Sequence, residues 1–221
     1  MTGARYGDLV GTVTFVIRLW LPDRPGTLGR VAAAIGRAGG DVIGIEILER
    51  GAGMAIDELT VLVDESGRID AVIAELAGVD GVAVEDVHGV EPDRPEHGVL
   101  ALDVVSAVVS VAERSQRLTL LCRGLGDLLE ADWVAVVDTE AGAVTFEEGR
   151  VPDPAWLIAF VIGTNHLPSS AEHTPSDVVW APLVGTALVV AAERGGRAFR
   201  ARERQQVERI GRIVGAVVAQ S

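Results

Sequence analysis

Between residues 14 and 35 the chain changes its hydrophobic period once, and the change falls on a proline and a glycine. Residues 14–21 (TFVIRLWL) are rich in β-branched and aromatic side chains and stop at Pro22, which predicts a strand. Leu28, Val31, Ala32 and Ile35 then fall at i, i+3, i+4 and i+7, one face of a helix that Pro25 and Gly26 open and Gly39 and Gly40 close. A strand turned tightly into an amphipathic helix needs a sheet for that helix to cover, which restricts everything that follows.

The next residues supply the sheet. Residues 42–48 and 56–63 read as two strands joined through 49–55 (ERGAGMA), whose glycines permit a hairpin turn. Ile69, Val72, Ile73 and Leu76 repeat the helical stripe behind a Ser66 cap, Gly78 ends it, and residues 79–90 alternate as a last strand. The order is strand, helix, strand, strand, helix, strand, with two helices to be covered by one sheet face. This predicts an α+β chain opening with a ferredoxin-like βαββαβ domain.

Residues 91–98 (EPDRPEHG) hold two prolines, charges and a glycine, the composition of a linker. The expected organisation is a tail over 1–12, a first domain over 13–90, a linker over 91–99 and a second domain over 100–221. In the second domain, residues 102–130 carry helical spacing, clearest at Leu118, Leu121, Cys122, Leu125, Leu128 and Leu129, as one long helix or two abutting ones. Strands are expected at 133–138, 143–147, 178–184 and 186–193, the last pair turning at Gly185. Helices are expected at 154–163 and 202–220, and a polar loop at 167–177.

Composition removes several function classes. The chain carries a net charge of −13, spread evenly over both halves, which argues against nucleic-acid binding because phosphate neutralisation needs a basic face. All 19 basic residues are arginine, so neither Schiff-base chemistry nor a P-loop lysine is available. One cysteine, Cys122, builds neither an internal disulfide nor a cysteine-based zinc site, and its place on an apolar stripe predicts an inert thiol. No run reaches the ~18 apolar residues of a membrane helix and the first residues lack signal-peptide character, so no membrane partner and a cytoplasmic location are expected.

The segment 21–31, LPDRPGTLGRV, carries the candidate chemistry. Pro25 fixes φ where its missing N–H costs nothing, and Gly26 leaves room for a ligand to approach the backbone. The amides around Gly26, Thr27 and Leu28 then face outward at the positive end of the helix dipole, a locus suited to a carboxylate, with Asp23 placed to attract an ammonium group.

An Asp-x-Pro-Gly loop after strand one, a leucine-bearing helix, and Gly39, Gly40, Asp41 and Val42 entering strand two together resemble the ACT domain family over residues 13–90. The resemblance implies amino-acid binding, dimers formed by sheets placed edge to edge, and a ligand held between the loop of one subunit and the start of strand two, often the neighbour's. It extends the candidate binding set to Asp23, Pro25, Gly26, Thr27, Leu28, Gly40, Asp41, Val42 and Ile43. Asp41 stands where many members have asparagine, a departure that bears on which ligand is accepted.

The second domain is similar to the GAF family of small-molecule sensors, through the closing pattern WAPLVGTALVVAAERGGRAFRARERQQVERIGRIVGAVV with Gly185 at the hairpin and Phe199 before the last helix. The lysine- and asparagine-containing signature of the cyclic-nucleotide binders and the bilin-attachment cysteine are missing, so no cofactor is expected. Arg197, Arg200, Arg202, Arg204, Arg209 and Arg212, interrupted by Glu203 and Glu208, are expected to form a solvated helical face. His166 and His173 flank Glu172 at no metal-ligand spacing, so no metal is expected, and Trp20, Trp133, Trp156 and Trp180 are expected in cores or interfaces.

No nucleophile–base pair, dinucleotide fingerprint or metal constellation can be assembled, so the chain is expected to be no enzyme. Two functional expectations remain. One is a homodimeric, cytoplasmic allosteric sensor that binds an amino acid or similar metabolite. The other is an accessory subunit or dimerisation module that docks on a metabolic enzyme without a ligand of its own.

Overall fold

A computed structural model describes residues 12–64, 68–164 and 175–220. The chain divides into two compact units, Met1–Arg94 and Pro95–Ser221. Ser66, His166, Glu172 and His173, and most of the polar loop expected at 167–177, lie outside the described residues.

The first unit runs β1 (Val13–Pro22), α1 (Thr27–Arg37), β2 (Gly40–Gly51), β3 (Met54–Val63), α2 (Ile69–Ala77), β4 (Ala83–Val90). Its antiparallel sheet has the order β2-β3-β1-β4, so it is the predicted split βαβ arrangement. Period-2 alternation sends Ile17, Leu19 and Leu21 of β1 and Ala55, Leu59, Val61 and Val63 of β3 to one face. There they pack with Val31, Ala34 and Ile35 of α1 and Val72 and Leu76 of α2. The β2–β3 hairpin closes through Ala52 (φ 50°) and Gly53 (φ 77°), two consecutive left-handed residues of the kind that matches strand twist in a two-residue turn.

The last strand of this unit, β4, starts later than predicted. Residues 79–82 are a turn rather than the start of β4, because Gly81 (φ 76°) turns the chain against Pro22 and Val79 drops into the core.

The second unit runs α3 (His97–Ser110), α4 (Arg114–Leu129), β5 (Trp133–Asp138), β6 (Ala143–Gly149), α5 (Pro154–Thr164), β7 (Val178–Pro182), β8 (Leu188–Glu193), α6 (Ala201–Val218). The sheet order is β6-β5-β8-β7, antiparallel throughout. β5 and β8 are buried on both faces, hence their unbroken apolar runs. Val134, Val136, Val190 and Ala192 face α3, α4 and α6, whereas Trp133, Ala135, Val137, Val189 and Ala191 face Leu157 and Val161 of α5.

The helical stretch from 102 is two helices, broken where Val111 turns extended (φ −109°, ψ 151°). Arg117 of α4 holds the break from inside, donating from Nε to the Val111 carbonyl at 2.9 Å and from Nη1 to Val217 at the end of α6 at 2.8 Å. α3 also begins at His97, within the segment read as linker.

The arginine-rich stretch is not uniformly a solvated face. Arg202, Arg209 and Arg212 are exposed, but Arg204 and Glu203 are buried. Arg204 donates to the carbonyls of Val178 (2.9 Å), Ser176 (3.0 Å), Pro175 (3.2 Å) and Phe199 (3.2 Å), which replace its hydration. Among the tryptophans, Trp133 and Trp180 are core residues. Trp20 and Trp156 are surface-exposed, the latter stacked on Phe160 at 5.4 Å between ring centroids.

Candidate functional site

The loop between β1 and α1 is anchored at its base. Asp23 donates its amide to the Gly53 carbonyl at 2.9 Å, tying the loop to the β2–β3 turn, and Arg24 donates to Pro22 at 2.8 Å. Pro25 lies in an exposed turn, and Gly26 takes the left-handed conformation (φ 86°, ψ −10°) that a side chain would resist.

The first turn of α1 then opens outward. No side chain caps it and it holds no acidic residue, so the helix dipole is uncompensated at this end. The Thr27 amide is taken by the Arg24 carbonyl at 3.2 Å. Among the described residues no backbone acceptor engages the amides of Gly26, Leu28 or Gly29. A Cβ added to Gly26 or Gly29 would meet nothing within 4 Å. Thr27 points inward, and its hydroxyl accepts from Nη2 of Arg30 at 3.2 Å, which puts a guanidinium on the same turn. Three free amides, a helix dipole and a cation in open space form an anion locus.

The Asp23 carboxylate is exposed and stands 4.0 Å from Nε of Arg50 on β2, itself more than half exposed, so this pair contributes little to stability. Asp57 of β3 is the residue that reading the sequence missed. It is 3% exposed, and its Oδ1 is buried without a hydrogen-bond partner. Burial pushes its carboxyl above the usual carboxylate range, Arg50 opposes that rise and Asp23 adds to it. The signal was present in MAIDELTVLV, where an acid takes an inward position between Ala55 and Leu59.

The other expected residues lie elsewhere. The register sets Gly40 level with Val63 and Val13, and Gly51 level with Met54 and Pro22. Within one chain the 23–28 loop and Gly40, Asp41, Val42 and Ile43 are therefore at opposite ends of β2, roughly 35 Å apart at about 3.3 Å per residue. Gly40 has a packing reason, since a Cβ there would come within 2.8 Å of Ile35 Cγ2. Val42 packs against the core, Asp41 is exposed, and Ile43 sits at a β-bulge with half its surface open.

Residues 15–81 match the model of the ACT domain family. No curated protein matches the chain. Among solved structures, the chain is similar to the ACT domain of GTP pyrophosphokinase of Chlorobium tepidum, at 18% identity over 36% of this chain and 99% of that one (TM-score 0.29). It is also similar to the C-terminal domain of the MgtC protein from Mycobacterium tuberculosis, at 20% identity over 41% and 100% (TM-score 0.32). A putative glycine cleavage system transcriptional repressor aligns at 12% identity over 93% of this chain and 92% of its own (TM-score 0.33). With scores this low the three likenesses bear no weight, and the assignment stands on the family model and the topology. No described helix is long and apolar enough to cross a membrane. A βαββαβ unit with sheet order β2-β3-β1-β4, matched over residues 15–81 by the family model, identifies that part of the chain as an ACT domain.

Proposed function

We propose that this protein is a regulatory, non-enzymatic binder of an amino acid, held at the β1–α1 loop of its ACT domain. The observation that carries the reading is the uncapped first turn of α1, where the amides of Gly26, Leu28 and Gly29 lack backbone acceptors and a Cβ on Gly26 or Gly29 would meet nothing within 4 Å. The reading includes a homodimer. β2 is an edge strand, with Ile43 and Ile45 each about half exposed along it. Antiparallel pairing of two such edges about a two-fold axis sets the start of one β2 beside the end of the other. That brings Asp41, Val42 and Ile43 of one copy toward the 23–28 loop of its neighbour. The second unit, with α3, α4 and α6 on one sheet face and α5 on the other, fits a GAF-like module that receives the signal.

The test is a thermal-shift panel of the twenty common L-amino acids on the full chain. A ligand present at 100 times its Kd stabilises by about 2.7 kcal/mol, roughly 5–10 °C for a protein of this size. A panel flat to within error overturns the ligand-binding reading and leaves a docking or dimerisation module. Sedimentation equilibrium that returns a monomer at all concentrations overturns the dimer.

A further inference from the structure

Asp57 sits on the helix-covered face of β3, in line with Ala55, Leu59, Val61 and Val63, which are all buried in the core of the first unit. It is 3% exposed and its Oδ1 has no hydrogen-bond partner. An ionised carboxylate at that position gives up its hydration and receives no donor in exchange, whereas a neutral carboxyl avoids most of that cost.

The groups around it decide what each form can do. Level with Asp57 are Leu19 of β1 and Ile47 of β2, and beyond Leu19 comes Val84 of β4. The buried residues of α1 and α2 are all uncharged. Two charges act on Asp57, the cation of Arg50 on β2 and the like-signed Asp23 of the β1–α1 loop. Arg50 is level with Ala55, so it shares the face of Asp57 and stands diagonal to it across the β2–β3 pair, a separation of roughly 7–8 Å that a long side chain spans. Its Nε already lies 4.0 Å from Oδ1 of Asp23. One guanidinium therefore serves two carboxyls, one at the surface and one buried.

We infer that Asp57 is a proton-operated switch: with its proton it leaves Arg50 to Asp23 at the base of the β1–α1 loop, and without it Asp57 draws Arg50 inward and off the loop. A charge cut off from water is attracted to a cation more strongly than one at the surface, which gives the ionised form of Asp57 its claim on Arg50. Burial holds the proton on above the ordinary value of 3.8, so the switch operates on the alkaline side of exposed aspartates. The folded chain then keeps a proton that the unfolded chain has released. The stability this contributes is complete below about 3.8 and is lost as the pH rises through the folded value. Acid tightens the first unit and base loosens it, independently of whether the loop amides hold an anion.

The experiment is a pH titration of the isotope-labelled full chain by NMR, following the carboxyl carbon of Asp57 and the amides of Asp23 and Arg24. Asp57 is expected to release its proton at higher pH than the exposed aspartates, and the two loop amides to shift with the same midpoint. In Asp57→Asn the loop amides lose that midpoint. In Arg50→Met, which keeps an unbranched stem without the cation, Asp57 holds its proton to still higher pH and the loop no longer follows it. Amide exchange at Leu59 and Val61 reads stability: the opening constant of the wild type relative to Asp57→Asn is expected to rise by up to about tenfold per pH unit across the window. If Asp57→Asn fails to fold, Asp57→Leu, which completes the apolar alternation of β3, takes its place. An Asp57 that titrates together with the exposed aspartates overturns the switch, as does an opening-constant ratio that stays flat with pH. Loop amides that keep the wild-type midpoint in Arg50→Met or in the Asp57 variant overturn it as well.

Discussion

Arg194 donates from Nη2 to Oε1 of Glu203 at 2.7 Å, with both side chains at most 3% exposed. Glu203 also accepts from the Arg200 amide at 2.7 Å, closing the start of α6, and Arg194 spends its other donors on the carbonyls of Leu129, Arg197 and Ala198. Its guanidinium lies 4.3 Å from the centre of the Phe199 ring. One ion pair thus ties the end of α4, the strand β8 and the start of α6 into a single polar cluster. Breaking a buried pair by removing one partner strands the other, so Glu203→Ala is expected to destabilise by about 3–5 kcal/mol. Denaturant unfolding followed by circular dichroism checks this, and a loss under about 1 kcal/mol would mean that the cluster is structurally idle.

Two helix glycines are expected to respond in opposite directions to the same substitution. A Cβ on Gly215 of α6 would stand 2.2 Å from the Val184 amide nitrogen, so α6 is pressed onto the β7–β8 turn through that glycine. A Cβ on Gly36 of α1 would meet nothing within 4 Å. Gly215→Ala therefore forces helix and turn apart and is expected to cost about 3 kcal/mol or more. Gly36→Ala is expected to add about 0.5–1 kcal/mol by reducing the freedom of the unfolded chain. Melting temperatures of the two variants check the contrast.

Burial, aided by the charge of Glu148, pushes the Cys122 thiol up to about 12 from an ordinary value of 9.0. A thiol at 2% exposure with this preference for its proton is expected to resist iodoacetamide at pH 8 in the native protein and to react on unfolding. Because the folded value is raised, the thiol contributes stability that is complete below about pH 9 and lost as the pH rises toward 12. Cys122→Ala is expected to remove that alkaline decline, although the cavity it opens lowers stability at neutral pH. Mass-spectrometric alkylation and urea titrations at pH 8 and pH 10 test the two statements.

Much of the first unit was legible because its signals are local. β1, α1 and the β2–β3 hairpin each follow from apolar spacing and from Pro22, Pro25, Gly26, Gly39 and the glycines at 51 and 53. What was left open or misread depended on packing that the sequence does not display. Whether 102–130 is one long helix or two abutting ones stayed open, because Ala112 and Glu113 are neither proline nor glycine and Arg117 bonds to Val111 only once α4 has folded back. Arg204 has the sequence character of a surface residue, and only the carbonyls of Pro175, Ser176 and Val178 bring it inside. Asp57 was visible as a polar break in an apolar alternation, but that its Oδ1 lacks a donor is a property of the packed sheet.

The 23–28 loop and the first residues of β2 stand at opposite ends of one long strand, a span no amino acid can cross. A small molecule touching both must therefore touch two copies of the chain, and the strength with which it is held then scales with how much of the protein is present. Such a receptor measures its own abundance along with that of its ligand: diluted far enough, it stops responding at any dose that engages only one half of the site.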